Sequence, residues 1–449
     1  MIYTALEDRR KGVSFMLGII TLIIALGAQV SFLVFRMTTQ NWQTKTTHFA
    51  RIAAFVVFSL LMITGVYWWG YRWMGLFLLL AVLAAISVLY FARYTKKEKQ
   101  YRGFRAVFSC ISGCLLVSFC FLPSVLFPQF KEVLPTGSLG VNTQSVTLVD
   151  EARVDPFSQS GENRKLTVQF WYPSVAGDTD AFPLVVFSHG AFGFRGSNLS
   201  TFEDLASNGY VVCSIDHSYH SFYARHADGS GTLVNMDFLN DAVNITNGSY
   251  DARMSYDKTH EWLALRAADM NYVLDEFLHN ESGKIPEDVF ARIDPDKIGL
   301  SGHSLGGATA AQLGRERPDV DAVAVLDGTM FGEEVAFENG SAVLTGIPYP
   351  VPLLNLYGED HYDDAQELGL SYDNLSASAH AVEAYDVVIR GSGHLNFTDL
   401  PLFSPALARM LGTGQVDSRY GIETMNQIVL EFFNHTLKDG TDLHLQSAY

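Results

Sequence analysis

The residues Gly302-His303-Ser304-Leu305-Gly306 constrain this chain more than any others, because of what lies on either side of them. Upstream, Lys297-Ile298-Gly299-Leu300 reads as a short strand. Downstream, Gly307-Ala308-Thr309-Ala310-Ala311-Gln312-Leu313 reads as the start of a helix built from small residues. A strand that turns sharply into a helix holds the corner residue in a strained backbone conformation, and only small neighbours leave room for it. Glycines two before and two after Ser304 supply that room. The setting predicts a nucleophile elbow, with the Ser304 hydroxyl lifted above the C-terminal edge of a sheet.

A serine hydroxyl is a weak nucleophile until a base takes its proton and a third group orients that base, and on such an elbow the order along the chain is serine, acid, histidine. Of 13 histidines, His394 fits best, in the turn Arg390-Gly391-Ser392-Gly393 after the apolar run 384–389. His361 and His380 come too early or fall in a helix, and His435 and His444 belong to the terminal helix and tail. Two acids qualify: Asp327, which ends the run 322–326, and Asp360, which follows the strand 351–358. The residues alone leave the two even. The developing oxyanion needs two backbone N–H donors. Leu305 offers one, and Ala191 the other, in the loop His189-Gly190-Ala191-Phe192-Gly193 after the strand Leu184-Val185-Val186-Phe187-Ser188. His189 is expected to be structural.

Further along the same region, short apolar strands (166–172, 184–188, 210–214, 297–301, 321–326, 352–357, 384–389) alternate with helices (198–208, 259–279, 304–315, 420–437). That alternation predicts an α/β fold with a mostly parallel sheet covered by helices.

These residues resemble the plasma and type II platelet-activating factor acetylhydrolase family, calcium-independent phospholipases A2 of the α/β-hydrolase superfamily. The resemblance rests on Thr167-Val168-Gln169-Phe170-Trp171-Tyr172-Pro173, Val185-Val186-Phe187-Ser188-His189-Gly190 and Asp216-His217-Ser218. It continues through Gly302-His303-Ser304-Leu305-Gly306-Gly307-Ala308-Thr309, Leu326-Asp327-Gly328-Thr329-Met330-Phe331 and Gly391-Ser392-Gly393-His394-Leu395-Asn396-Phe397. The matches run in the family's order over most of residues 135–400. It implies Asp327 as the acid, with Asp360 the alternative, and a lipid or small ester as substrate. Residues 221–258 depart from the family, and its secreted members have no counterpart to the first 130 residues.

Those first 130 residues are mostly four apolar runs, 15–35, 52–69, 74–92 and 106–127, each long enough to cross a ~30 Å hydrocarbon core. They predict a four-helix transmembrane segment (1–130), followed by a linker and first strand region (131–163) and an α/β-hydrolase domain (164–449). Loops one and three hold Arg36, Lys45, Arg51, Arg93, Lys96, Lys97, Lys99, Arg102 and Arg105; the opposite side has Arg9, Arg10, Lys11 and Arg72. This bias places loops one and three in the cytoplasm and the hydrolase domain outside, in a multi-pass protein of the cell membrane. Residues 131–449 carry 18 basic and 45 acidic side chains, which argues against nucleic acid as a partner. Asp216, His217, His220 and His226 match no zinc spacing and are expected to be hydrogen-bonded in a loop. A serine triad with backbone donors requires no cofactor and no metal. Tyr219, Phe222, Tyr223 and Phe238 either line an acyl pocket or pack the loop.

Overall fold

The computed structural model describes residues 2–93, 101–174, 181–280, 282–438 and 442–449, with side chains from Leu17 onward. Of the basic residues in the expected loop-charge bias, Lys96, Lys97 and Lys99 lie outside the described residues, as do the side chains of Arg9, Arg10 and Lys11. The chain divides into two compact units, Met1–Glu132 with Leu402–Leu407, and Val133–Pro401 with Ala408–Tyr449.

The first unit contains α1 (Ile2–Thr39), α2 (Thr44–Ile63), α3 (Tyr71–Ala92) and α4 (Gly103–Leu126). From Leu17 on, all four are long and apolar enough to cross a membrane. α2 begins and ends earlier than the run 52–69 suggests. Gly65 and Gly70 adopt φ of 76° and 157°, which leaves Trp68 and Trp69 in the turn before α3. Phe58, Tyr67, Trp73 and Phe121 form the buried centre of the bundle, with the Tyr67 and Trp73 rings 4.4 Å apart. Trp73 Nε1 donates to Gln129 Oε1 at 2.9 Å, so its polar edge is satisfied inside. Ile23, Ile24, Phe49, Phe104, Phe108 and Phe119 point outward and are exposed.

The second unit is built on an eight-stranded sheet. Its strands are β1 (Gly140–Val154), β2 (Asn163–Ser174), β3 (Phe182–Ser188), β4 (Val211–His217), β5 (Ile293–His303), β6 (Ala322–Leu326), β7 (Leu353–Tyr357) and β8 (Ala384–Val388). They lie in the order β1-β2-β4-β3-β5-β6-β7-β8. β2 runs antiparallel to both its neighbours, and all other pairs are parallel. Both faces are covered, as the apolar runs require. On β3, Leu184 and Val186 enter one core with α7 (Ala252–His279) and α8 (Leu305–Glu316); Val185 and Phe187 enter the other with α5 (Leu199–Ser207) and the terminal helix Ser418–Leu437. Phe432 and Phe433 of that terminal helix are fully buried, each contributing about 1.5–3 kcal/mol.

The sheet matches the expected α/β class, with three differences in the elements. β1 pairs along nearly its whole length with β2 although it alternates polar and apolar residues, as an edge strand with one wet face does. α7 starts at Ala252, seven residues earlier than expected, because Asp251 accepts the Met254 amide at 2.8 Å and caps it. Helix α6 (Met236–Thr246), two small hairpins (223–233 and 334–344), α9 (Glu359–Leu368) and α10 (Asp373–His380) fill segments with no strong periodicity.

Candidate active site

Ser304 sits between β5 and α8 with φ 55° and ψ −125°, a conformation that costs a non-glycine residue about 1–3 kcal/mol. The strain is held by bonds on both sides: the Ser304 amide donates to Leu326 O at 3.0 Å, and Ser304 O accepts the Ala308 amide at 3.1 Å. The flanking glycines are required by space. A Cβ on Gly306 would lie 1.9 Å from Ser188 O, and one on Gly302 would lie 2.2 Å from the Gly306 carbonyl. Ser304 itself is half-buried.

Asp327 follows β6, the strand beside β5, and is buried with φ 46°. Its Oδ2 accepts a bond of 2.6 Å from His394 Nδ1, and its Oδ1 accepts the Gly358 amide at 2.6 Å and His361 Nδ1 at 2.8 Å. Burial alone would raise this carboxyl, but the bonds from His361 and His394 hold it well below the ordinary carboxylate range. His394 opens a short 3-10 turn after β8 and is exposed. With Nδ1 committed to Asp327, Nε2 is the ring nitrogen left to take up or give a proton. Its backbone carbonyl accepts His303 Nε2 at 3.0 Å, and the two rings lie 4.6 Å apart. Burial and the neighbouring His394 push His303 down to about 3, so it packs as a neutral ring.

Asp360 lies exposed in the first turn of α9, and among the described residues no histidine is bonded to it. His361, one residue on, reaches the carboxylate instead. Chain order and an expected helix count against His361 in the sequence, and the structure does place it in α9. Its proximity to Asp327 comes from β6 and β7 being parallel neighbours with Leu326 opposite Leu356, a pairing that no local spacing encodes.

The loop after β3 is held from below. Fully buried Arg266, on α7, donates to His189 O at 2.7 Å; His189 Nδ1 bonds Gly190 O at 2.7 Å, and its Nε2 bonds Ser221 Oγ at 2.7 Å. His189 is therefore part of the scaffold. In the same loop the Phe192 amide is used by His220 O and the Gly193 amide by Gly190 O. Among the described residues the amides of Ala191 and Leu305 have no such acceptor. Phe238, Trp262 and Leu305 form an apolar cluster with Ala191 and Phe192 against it, while Phe222 and Tyr223 are exposed. Asp216 pairs with Arg195, His217 Nδ1 bonds Asp269 at 3.0 Å, His220 bonds Arg266, and His226 bonds Thr167 at 2.9 Å. Each of the four is held in its own hydrogen bond. A cavity of about 530 Å³, lined by His260, Asn271, Gln312 and Glu334 among others, contains none of Ser304, Asp327 or His394.

Ser304, Asp327, His394 and the 189–193 loop thus all stand at the carboxyl ends of parallel strands, where open α/β sheets bind ligands. The sheet and its elbow define an α/β-hydrolase fold. The model of the family "Platelet-activating factor acetylhydrolase, isoform II" matches residues 165–446, and the chain belongs to that family. The platelet-activating factor acetylhydrolase of Canis lupus familiaris is 27% identical over 277 residues, which span 58% of this chain and 58% of the relative. Cutinase 2 of Thermobifida cellulosilytica is 27% identical over 183 residues, 39% of this chain and 52% of that protein. Among solved structures, a ferulic acid esterase from Streptomyces cinnamoneus superposes with a TM-score of 0.54 at 24% identity, covering 70% of this chain and 95% of the esterase.

Proposed function

We propose that the protein is a membrane-anchored serine esterase that cleaves carboxylic ester bonds of lipids, with short acyl groups preferred. The observation that carries the reading is the His394 Nδ1–Asp327 Oδ2 bond of 2.6 Å, beside a serine strained at φ 55° on its elbow. Ser304 Oγ attacks the ester carbonyl carbon while its proton passes to His394 Nε2. The tetrahedral oxyanion takes bonds from the Ala191 and Leu305 amides, and Asp327 stabilises the imidazolium. The alcohol leaves with the proton from His394, and water then repeats the sequence on the acyl-serine. The large rings of Phe238 and Trp262 beside both donor residues support a short acyl group. The outward apolar faces of the four helices support membrane integration, and the loop charges support an extracytoplasmic domain.

The test is a substrate series on the full chain in detergent: p-nitrophenyl esters of rising chain length, a 2-acetyl phospholipid, and a polyester. Turnover is expected to be highest with acetyl and butyryl esters and with the 2-acetyl phospholipid, and to survive EDTA. Preference for the polyester would favour the cutinase-like alternative. No turnover of any ester would favour a non-catalytic membrane sensor or scaffold. Loss on chelation with recovery on added calcium or zinc would overturn the metal-free mechanism.

A further inference from the structure

We infer that His361 is a positioning residue of the catalytic site, a second imidazole that fixes the Asp327 carboxylate from the side opposite His394. The inference rests on the triad reading above and adds a residue to it. His361 lies in the first turn of α9, and its Nδ1 is 2.8 Å from Asp327 Oδ1. Its Nε2 bonds the Tyr372 hydroxyl, which lies 3.2 Å from Thr329 Oγ1. The Tyr357 ring packs edge-on at 5.2 Å.

Burial pushes the Tyr372 hydroxyl far up, so it keeps its proton and can donate to Nε2, and the Thr329 hydroxyl lies within hydrogen-bond reach of Tyr372. The Asp327 carboxylate can only accept, so Nδ1 of His361 carries the proton of their shared bond. Thr329, Tyr372, His361 and Asp327 form a hydrogen-bonded chain that ends on Oδ1. The chain and the Gly358 amide oppose carboxylate rotation, because turning it breaks two bonds. They also draw charge from Oδ2, the oxygen that holds His394. The charged and titratable groups facing His361 are Asp327, Tyr372 and, at longer range, Asp373, with Tyr357 against its ring and His394 across the carboxylate.

Removing the His361 donor concentrates charge on Oδ2, stabilises the His394 imidazolium, and so moves the acid limb of the kcat/KM profile to higher pH. With active sites counted by fluorophosphonate, His361→Leu is expected to lower kcat/KM about tenfold and to raise the acid limb by about half a pH unit. His361→Asn places an amide N–H where Nδ1 stood and is expected to stay within about threefold of wild type. Tyr372→Phe is expected to fall between the two, and to add no loss on the Asn background. Two results overturn the inference: a Leu variant with an unshifted acid limb, or an Asn variant as impaired as the Leu variant. Should the Leu variant fail to fold, Tyr372→Phe and His361→Asn still decide, since equal losses in both would mean the ring only fills space. Failure of the triad itself is read separately, from full activity in Asp327→Asn.

Discussion

At Asp327 a buried carboxylate is held ionised by two imidazoles and a backbone amide. On the proposed mechanism such a group keeps the His394 proton on Nδ1 and compensates the charge that ring gains during turnover. Asp327→Asn is therefore expected to cut turnover by about 10⁴ through the wrong imidazole tautomer, while exposed Asp360→Asn changes it little. Steady-state kcat on a p-nitrophenyl ester, per titrated site, ranks the two, and a reversed ranking would return the acid to Asp360. His394→Ala is expected to match Ser304→Ala, at a loss of about 10⁶, because base and nucleophile act as a unit.

The elbow is an element whose geometry leaves no slack. Gly306→Ala would put a methyl 1.9 Å from a backbone oxygen of β3, so β3 or α8 has to move. Such overpacking costs about 1–3 kcal/mol or more; a lowered Tm together with lost turnover is expected, and a normal Tm would mean the elbow can relax. α10 carries a pH dependence of its own. Burial, with Glu334 nearby, raises Asp373 to about 7, and its Oδ2 has no partner among the described residues. A folded value above the unfolded one stabilises the fold fully below the unfolded value, and that contribution is lost as pH rises through about 7. Asp373→Asn is thus expected to raise Tm over wild type at pH 8 and much less at pH 5, read by thermal unfolding at both. An equal change at both would remove Asp373 as the cause. The elements bearing Ser304, Asp327 and His394 were legible because each is an apolar strand followed by a small-residue turn, a local signal. The His361 contact was not, since it arises from the pairing of β6 with β7 across 30 residues of chain. Nor was the support beneath the 189–193 loop, where Arg266 arrives from α7 and satisfies carbonyls that carry no sequence signature. β1 falls within the expected linker and first strand region (131–163), but its bounds are hidden in the sequence because its wet face interrupts the apolar pattern with polar residues.

For the whole molecule, the division between a cationic, apolar first 130 residues and an acidic body with a net charge near −27 sets the expected topology. Protease added to intact cells is expected to release a fragment close in size to residues 131–449, following the loop-charge bias. A fragment protected until the membrane is broken would mean that Arg9, Arg10 and Lys11 had set the orientation instead. The chemistry does not depend on that outcome. It depends on whether the hydroxyl of Ser304 is the nucleophile, and covalent capture reads this directly. The purified full chain is treated with a fluorophosphonate, digested and mapped by mass. The expected result is one phosphonyl adduct, on Ser304, appearing in step with the loss of ester hydrolysis and absent from Ser304→Ala. An adduct on another residue, or hydrolysis that persists once Ser304 is fully modified, would contradict it.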